Sequence, residues 1–410
     1  MLCGLDELVG GQYPALRRRL RDERVGILTH AAALDRQGRS CQSVLDDLGV
    51  RPAVVFSPEH GFDGDAQAEE PVPTLGDTAD SDTDAAPIVS LYGNSRESLS
   101  PTAEHLQNLD VLLIDLADVG SRYYTYVWTA LLAARAAIEA GVHTVVLDRG
   151  NPISGDATAV EGRPQQEGFL SFVGLEPIPI RHCLTLAEIV VHFLHRDHIP
   201  LGPDGAVSVV PTRGWERHRT ASAWDRPFVP PSPNMPTLET ALVYPGGCLV
   251  EGTNLSEGRG TTVPFQMVGA PFLDGVELAR AMRDAGTPGA LVRPATFRPE
   301  FDKHAGKRCS GVMLHVTNAA LFRPIATYLR LLTLAQRQAP DDFAFRTEPY
   351  EFETEIPAFD LLTGSDKARQ AIVGNASPEE VVDLVSPVPS SFGQVVVEAE
   401  ARIVSDAAAG

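Results

Sequence analysis

Residues 110–152 read DVLLIDLADVGSRYYTYVWTALLAARAAIEAGVHTVVLDRGNP. Two short runs rich in Val, Leu and Ile flank a longer apolar stretch with helical spacing, so the segment predicts a strand, a helix and a second strand. Gly141 stands where the helix pattern stops, as a left-handed cap does.

Working outward, the same alternation runs from residue 24 to about residue 200. RVGILT (24–29), AVVFS (53–57), PIVSLY (87–92), DVLLIDL (110–116) and TVVLD (144–148) predict strands. SCQSVLDDL (40–48), SPTAEHLQNL (100–109) and YVWTALLAARAAIEAG (126–141) predict helices, the first two opened by Ser or Thr caps. The expected fold is α/β, a doubly wound parallel sheet covered by helices on both faces. The Pro-rich stretch RPFVPPSPNMP (226–236) places a domain boundary near residue 235. Beyond it CLVEG (248–252), VMLHV (312–316) and QVVVEAE (394–400) predict strands, while GVELARAMRDAG (275–286), residues 319–338 and SPEEVVDLV (377–385) predict helices. The second half is therefore expected to be a smaller α+β domain.

Composition narrows the function. The 410 residues are 43% hydrophobic and 21% charged, the balance of a folded globular chain. A net charge of −20 opposes a phosphate backbone, so no nucleic-acid partner is expected. Cys3, Cys41, Cys183, Cys248 and Cys309 are odd in number and form no C-x-x-C pair, which predicts reduced structural thiols. The most apolar helical segment, Tyr126 to Val146, is broken by Arg135, Glu139 and His143, so no membrane span is expected. No apolar stretch of signal-peptide length opens the chain, and the expected location is cytoplasmic.

GRGTT (258–262) lacks the third glycine of a dinucleotide fingerprint, and the chain contains no P-loop, G-x-S-x-G or H-E-x-x-H motif, so no cofactor is expected. His192, His195 and His198 fan around a helix at i, i+3 and i+6 and predict no metal site.

In a doubly wound sheet the ligand crevice lies beyond the carboxyl ends of the strands. His30 follows the first strand, SPEHGF (57–62) the second, Asp115 to Arg122 the fourth and DRGNP (148–152) the fifth. Glu59 in SPEHGF is either a half-desolvated general acid or a turn cap. Asp115, Asp118, Arg122 and the tyrosines after it suit a carbohydrate site, where acids act and aromatics stack on sugar faces, or else a helix start favoured by acidic charge with aromatics filling core. Arg149, Asn151, Glu161, Arg181 and His182 lie near Gly or Pro turns, which alone account for Asn151 beside Pro152. PGGCLVEGTNLSEGRGTTVPF (245–265) is the densest polar segment, with Glu251, Asn254, Glu257 and Arg259 among its glycines. Residues 62–86 form a long acidic loop, read as a lid or a solvated insertion.

SPEHGF, DVGSRYYTY, DRGNP, RHCLT (181–185), PPSPNMPTLETALVYPG (230–246), EGTNLSEGRGTTVPF and VGAP (268–271), in that order, resemble the exo-β-N-acetylmuramidases, peptidoglycan hexosaminidases once known only as a domain of unknown function. The resemblance spans roughly residues 24–365. It implies a Rossmann-like catalytic domain over 1–235, a smaller domain over 236–410 that closes the cleft, and release of N-acetylmuramic acid or a related amino sugar from the non-reducing end of peptidoglycan-derived fragments. It implies an amino-sugar or muropeptide substrate, with no metal or cofactor.

The resemblance further implies that Glu59 is the catalytic carboxyl, protonating the glycosidic oxygen and later activating water. Asp118, Glu251, Glu257 or the substrate's own acetamido group is the second participant, with Asp118 placed first. His60, Gly61, Arg122, Tyr124, Asn151, Glu161, His182, Asn234 and Asn254 are expected to bind substrate, and Arg149, Arg181 and Arg259 are candidates for the lactyl carboxylate. Where the family pattern has Pro, Gln, Gly, Arg and Asn, this chain has Gly150, Ala117, Cys183, Asp63 and His30. The loss of polar groups at Ala117 and Asp63 points to altered sugar specificity, or to a non-catalytic binding protein as the second reading.

Overall fold

A computed structural model describes residues 1–74, 86–202 and 205–407. The central part of the acidic loop, 75–85, lies outside the described residues, and with it the lid reading. The first domain is built on six parallel strands, β1 (Val25–Thr29), β2 (Val54–Ser57), β3 (Ile88–Ser90), β4 (Val111–Asp115), β5 (His143–Leu147) and β6 (Val207–Val210). They are ordered β3-β2-β1-β4-β5-β6, which is the doubly wound order expected from the alternating pattern.

Both faces of this sheet are covered because successive side chains point to opposite sides. Ile27, Val55, Leu113 and Val145 meet the helices Gly4–Val9 and Cys41–Asp47 on one side. Leu28, Phe56, Leu112 and Val146 join the larger core on the other, with the helices Tyr126–Glu139 and Leu186–Arg196. The latter opens with a capping box in which Thr185 and Glu188 satisfy each other's backbone amides.

The second domain carries a three-stranded antiparallel sheet of β7 (Met267–Ala270), β8 (Ala290–Phe297) and β9 (Cys309–Val316), ordered β7-β9-β8. Two strand expectations fail here. CLVEG is a short 3-10 turn, Cys248–Gly252, continuing the helix Leu238–Gly247. Gly252 closes that turn against Phe359, where an added Cβ would lie 2.6 Å from Phe359 Cα. QVVVEAE belongs to the helix Phe392–Ala407, whose buried Val396, Ala399 and Ile403 recur at helical spacing behind the β-branched run. That helix returns to pack on β6 and the helix Leu186–Arg196 of the first domain.

Candidate active site

The chain leaves β2 through Pro58, and His60 (φ 70°) and Gly61 (φ 80°) turn it back in the left-handed region. The turn leaves Glu59 at the mouth of the strand with 5% exposure. Thr125 Oγ1 donates to Glu59 Oε2 at 2.6 Å, and the Glu69 amide donates to Oε1 at 3.4 Å. His60 Nδ1 bonds the Ala66 carbonyl at 2.9 Å and Asn234 Nδ2 donates to Gln67 at 2.8 Å, which pins the loop between them.

Glu59, His60, Tyr124 and Asn234 line one side of an inner pocket of about 40 Å³, and Tyr244, Glu251, Arg259, Tyr350 and Glu351 of the second domain line the other. Ala68, Glu251 and Arg259 also line an outer chamber of about 620 Å³, so the two form one cleft. Asn254, Glu257, Lys303 and Arg346 line the chamber as well.

The glycine-rich segment builds the cleft floor. Gly258 and Gly260 both have φ 77°, and a Cβ on Gly260 would lie 2.6 Å from Glu300 Cβ, so only glycine lets the segment fold this tightly. Arg259 bonds Glu251 and Glu257 at 2.7 Å each, and Lys303 Nζ meets Glu257 at 2.9 Å. Burial raises the Glu257 carboxyl, but Lys303 and then Arg259 outweigh it and hold the group at about 2. Burial pushes Glu251 upward against the pull of Arg259. Tyr350 OH donates to the other oxygen of Glu251 at 2.7 Å.

Several cleft residues escaped the sequence reading. Arg346 makes a two-pronged bond to Glu69, at 2.9 and 3.2 Å, that ties the second domain to the loop over Glu59. Glu351 faces the same pocket as Glu59, and Tyr92 OH donates to it at 3.0 Å. The two positions of its turn, Glu351 and Phe352, carry no Gly, Asn or Asp that would mark it.

Other expected site residues stand elsewhere. Asp118 lines a separate cavity of about 60 Å³ with Ala117, Arg149, Trp224 and Arg226. Burial drives its carboxyl up to about 7, against a 2.7 Å bond from the Gly120 amide. His182 Nε2 lies 3.9 Å from it, and burial lowers that imidazole to about 3, so it stays neutral. Arg149 grips Asp115 at 2.6 and 2.9 Å and donates to the Leu34 carbonyl. Arg122 is fully buried and donates to the carbonyls of Arg163, Ile178 and Leu362. Arg181 donates to the Ile153 carbonyl, and Asn151 links the Leu184 carbonyl to the Ile153 amide. Glu161 accepts from the Ala326 amide and from Ser386. Asn254, on the chamber rim, bonds Asp342 and Ala344.

Two departures from the family pattern have visible causes. Cys183 takes φ 58°, a conformation that suits the glycine expected there, and a Cβ on Gly150 would lie 2.9 Å from the Trp215 ring, which fills the space of the expected proline. His30, buried and lowered to about 3 by that burial, accepts from the Ala117 amide at 3.0 Å.

Residues 25–239 match the family model described as exo-beta-N-acetylmuramidase NamZ, N-terminal, and residues 242–398 match its C-terminal counterpart. The peptidoglycan beta-N-acetylmuramidase NamZ of Bacillus subtilis (strain 168) is 38% identical over 392 residues, covering 95% of this chain and 89% of that protein. A crystal structure of a DUF1343 family protein from Bacteroides fragilis NCTC 9343 superposes with a TM-score of 0.82 at 25% identity, covering 97% of this chain and 98% of that one. A second from the same organism gives 0.68 at 26% identity, covering 99% and 98%.

Proposed function

The chain belongs to the exo-β-N-acetylmuramidase family, and on that premise we propose that Glu59 is the carboxyl group that works on the glycosidic bond, with the cleft between the two domains as its substrate site. The protein is a glycoside hydrolase that releases N-acetylmuramic acid from peptidoglycan fragments. The observation that carries the assignment of Glu59 is its place in the inner pocket, buried, held by Thr125 and faced by polar groups of both domains. The sugars lie in the outer chamber, the larger of the two spaces, with the bond to be cut at the mouth of the inner pocket beside Glu59.

Arg259 is the recogniser of the lactyl carboxylate in this reading. Of the three arginines considered from sequence, it lines the pocket with Glu59, whereas Arg149 lines the other cavity. A cytoplasmic role in recovering wall-derived sugars fits the five cysteines, all buried as free thiols.

The test is release of free sugar from the disaccharide of N-acetylmuramic acid β-1,4-linked to N-acetylglucosamine. Wild type turns it over and Glu59→Gln does not; equal turnover by the variant overturns the assignment.

A further inference from the structure

Resting on the assignment of Glu59, we propose that Glu351 is the second carboxyl of the reaction, the group that protonates the departing sugar oxygen while Glu59 takes a proton from water.

The backbone carries the first argument. Tyr350 and Glu353 pair as a bridge, with both of their amide-to-carbonyl bonds at 2.9 Å, and Glu351 (φ 48°) and Phe352 (φ 64°) form the two-residue loop between them. Two successive left-handed residues in such a loop are the arrangement that Asn-Gly adopts without strain. Glu and Phe adopt it only under strain, and strain of this kind persists where the surroundings hold it.

Here they do hold it. The Phe352 ring packs edge-on against Tyr92 at 5.5 Å, and Tyr92 OH donates to Glu351 Oε2. Arg96 of the first domain pairs with Glu353 at 3.0 Å on the far side of the turn. The whole turn is therefore docked on the first domain, with Glu351 at its tip in the pocket that holds Glu59. A turn built only for shape would have no need of an acid at that position.

The charges around the turn assign the proton. Glu59, Glu69 and Glu251 are the acids that bear on Glu351, and Tyr92 is its hydroxyl partner. The nearby guanidiniums are matched elsewhere, Arg346 to Glu69, Arg96 to Glu353, and Arg259 to Glu251 and Glu257. Burial first, and then Glu59 and Glu69, push Glu351 well above the ordinary carboxyl range, so it keeps its proton at neutral pH.

In the reaction the Glu351 proton passes to the glycosidic oxygen as the bond to the anomeric carbon breaks, and that oxygen keeps the bonding pair. Water forms the new bond to the anomeric carbon and yields a proton to the Glu59 carboxylate. Return of one proton from Glu59 to Glu351 resets the pair.

The experiment compares wild type, Glu59→Gln, Glu351→Gln and Glu351→Asn on the disaccharide and on para-nitrophenyl β-N-acetylmuramide, whose leaving group departs without protonation. For both Glu351 variants kcat on the disaccharide falls about 10² to 10⁴-fold, the usual contribution of a general acid. On the nitrophenyl glycoside it falls less than about tenfold, and the alkaline limb of the kcat/KM profile against pH disappears. Asn tolerates the left-handed backbone, so relief of that strain offsets the lost Tyr92 bond, Glu351→Asn stays folded, and chemistry is separated from folding. Equal losses on the two substrates, disaccharide turnover within about threefold of wild type, or an unchanged alkaline limb overturns the proposal. Turnover of the disaccharide by Glu59→Gln equal to wild type would instead remove the reading of Glu59, on which this proposal rests.

Discussion

The pocket around Glu59 and the cavity around Asp118 sit at the ends of β2 and β4, on either side of β1, and each encloses a buried acid. They differ in what surrounds that acid. Asp118 is walled entirely by residues of the first domain, and the two arginines beside it are tied to Asp115 and Asp6. Glu59 faces the second domain, which brings Glu251, Arg259, Tyr350 and Glu351 to it. The switch point of the sheet, between β1 and β4, is where a doubly wound fold usually binds its ligand. In this chain the second domain closes one strand further along, and the acids gather there.

The sharpest way to break this contrast is to remove the acid from the pocket. Glu59→Gln is expected to lower kcat on the muramic acid disaccharide by about 10³-fold or more with the thermal midpoint held, measured by free-sugar release and calorimetry. A loss of less than about tenfold would erase the difference between the two regions.

Next in size is Arg259→Met. It leaves Glu251 and Glu257 as buried carboxylates without their shared cation, which destabilises a protein by about 3 to 5 kcal/mol. Denaturant unfolding reads that loss, and KM for the disaccharide rises if Arg259 holds the lactyl group.

Arg346→Ala tests the clasp to Glu69 over the pocket. The pair is partly exposed, so stability changes by about 1 kcal/mol or less, while KM rises a few-fold as the loop carrying the Glu69 amide loosens from Glu59. An unchanged KM would mean that the loop needs no tie to the second domain.

The smallest effect is expected at Asp118→Asn. The unfolded Asp118 ionises near 3.8 and the folded one near 7, so burial of this group makes the protein less stable as pH rises through that window. Replacement by Asn flattens that slope, while sugar release stays within about twofold of wild type. Chemical unfolding at pH 5 and pH 7 gives the slope.

The legible parts of the molecule are those whose residues act locally. Strands β1 to β5 were readable because each is an apolar run bounded by turn or cap residues, whereas β6, as short as β2, went unread. In the second half, Val395 to Val397 looked like a strand because β-branched residues cluster there, but their burial follows a helix packed on another domain. Within the site, Glu59, Glu251 and Arg259 stood out because glycines and prolines flank them. Glu351 did not, because its turn is held by Tyr92, 259 residues away in sequence, and no local pattern records that contact. Asp118 drew notice for the opposite reason, since a strand end followed by Gly120 and tyrosines looks the same whether the acid meets substrate or a backbone amide.

The measurement that tests the central claim most directly is kcat/KM for Glu59→Gln and Asp118→Asn, side by side, on the β-1,4 disaccharide of N-acetylmuramic acid and N-acetylglucosamine. The account predicts near-complete loss in the first and near wild-type turnover in the second. The reverse order, or equal losses in both, would contradict it and move the chemistry to the switch point of the sheet.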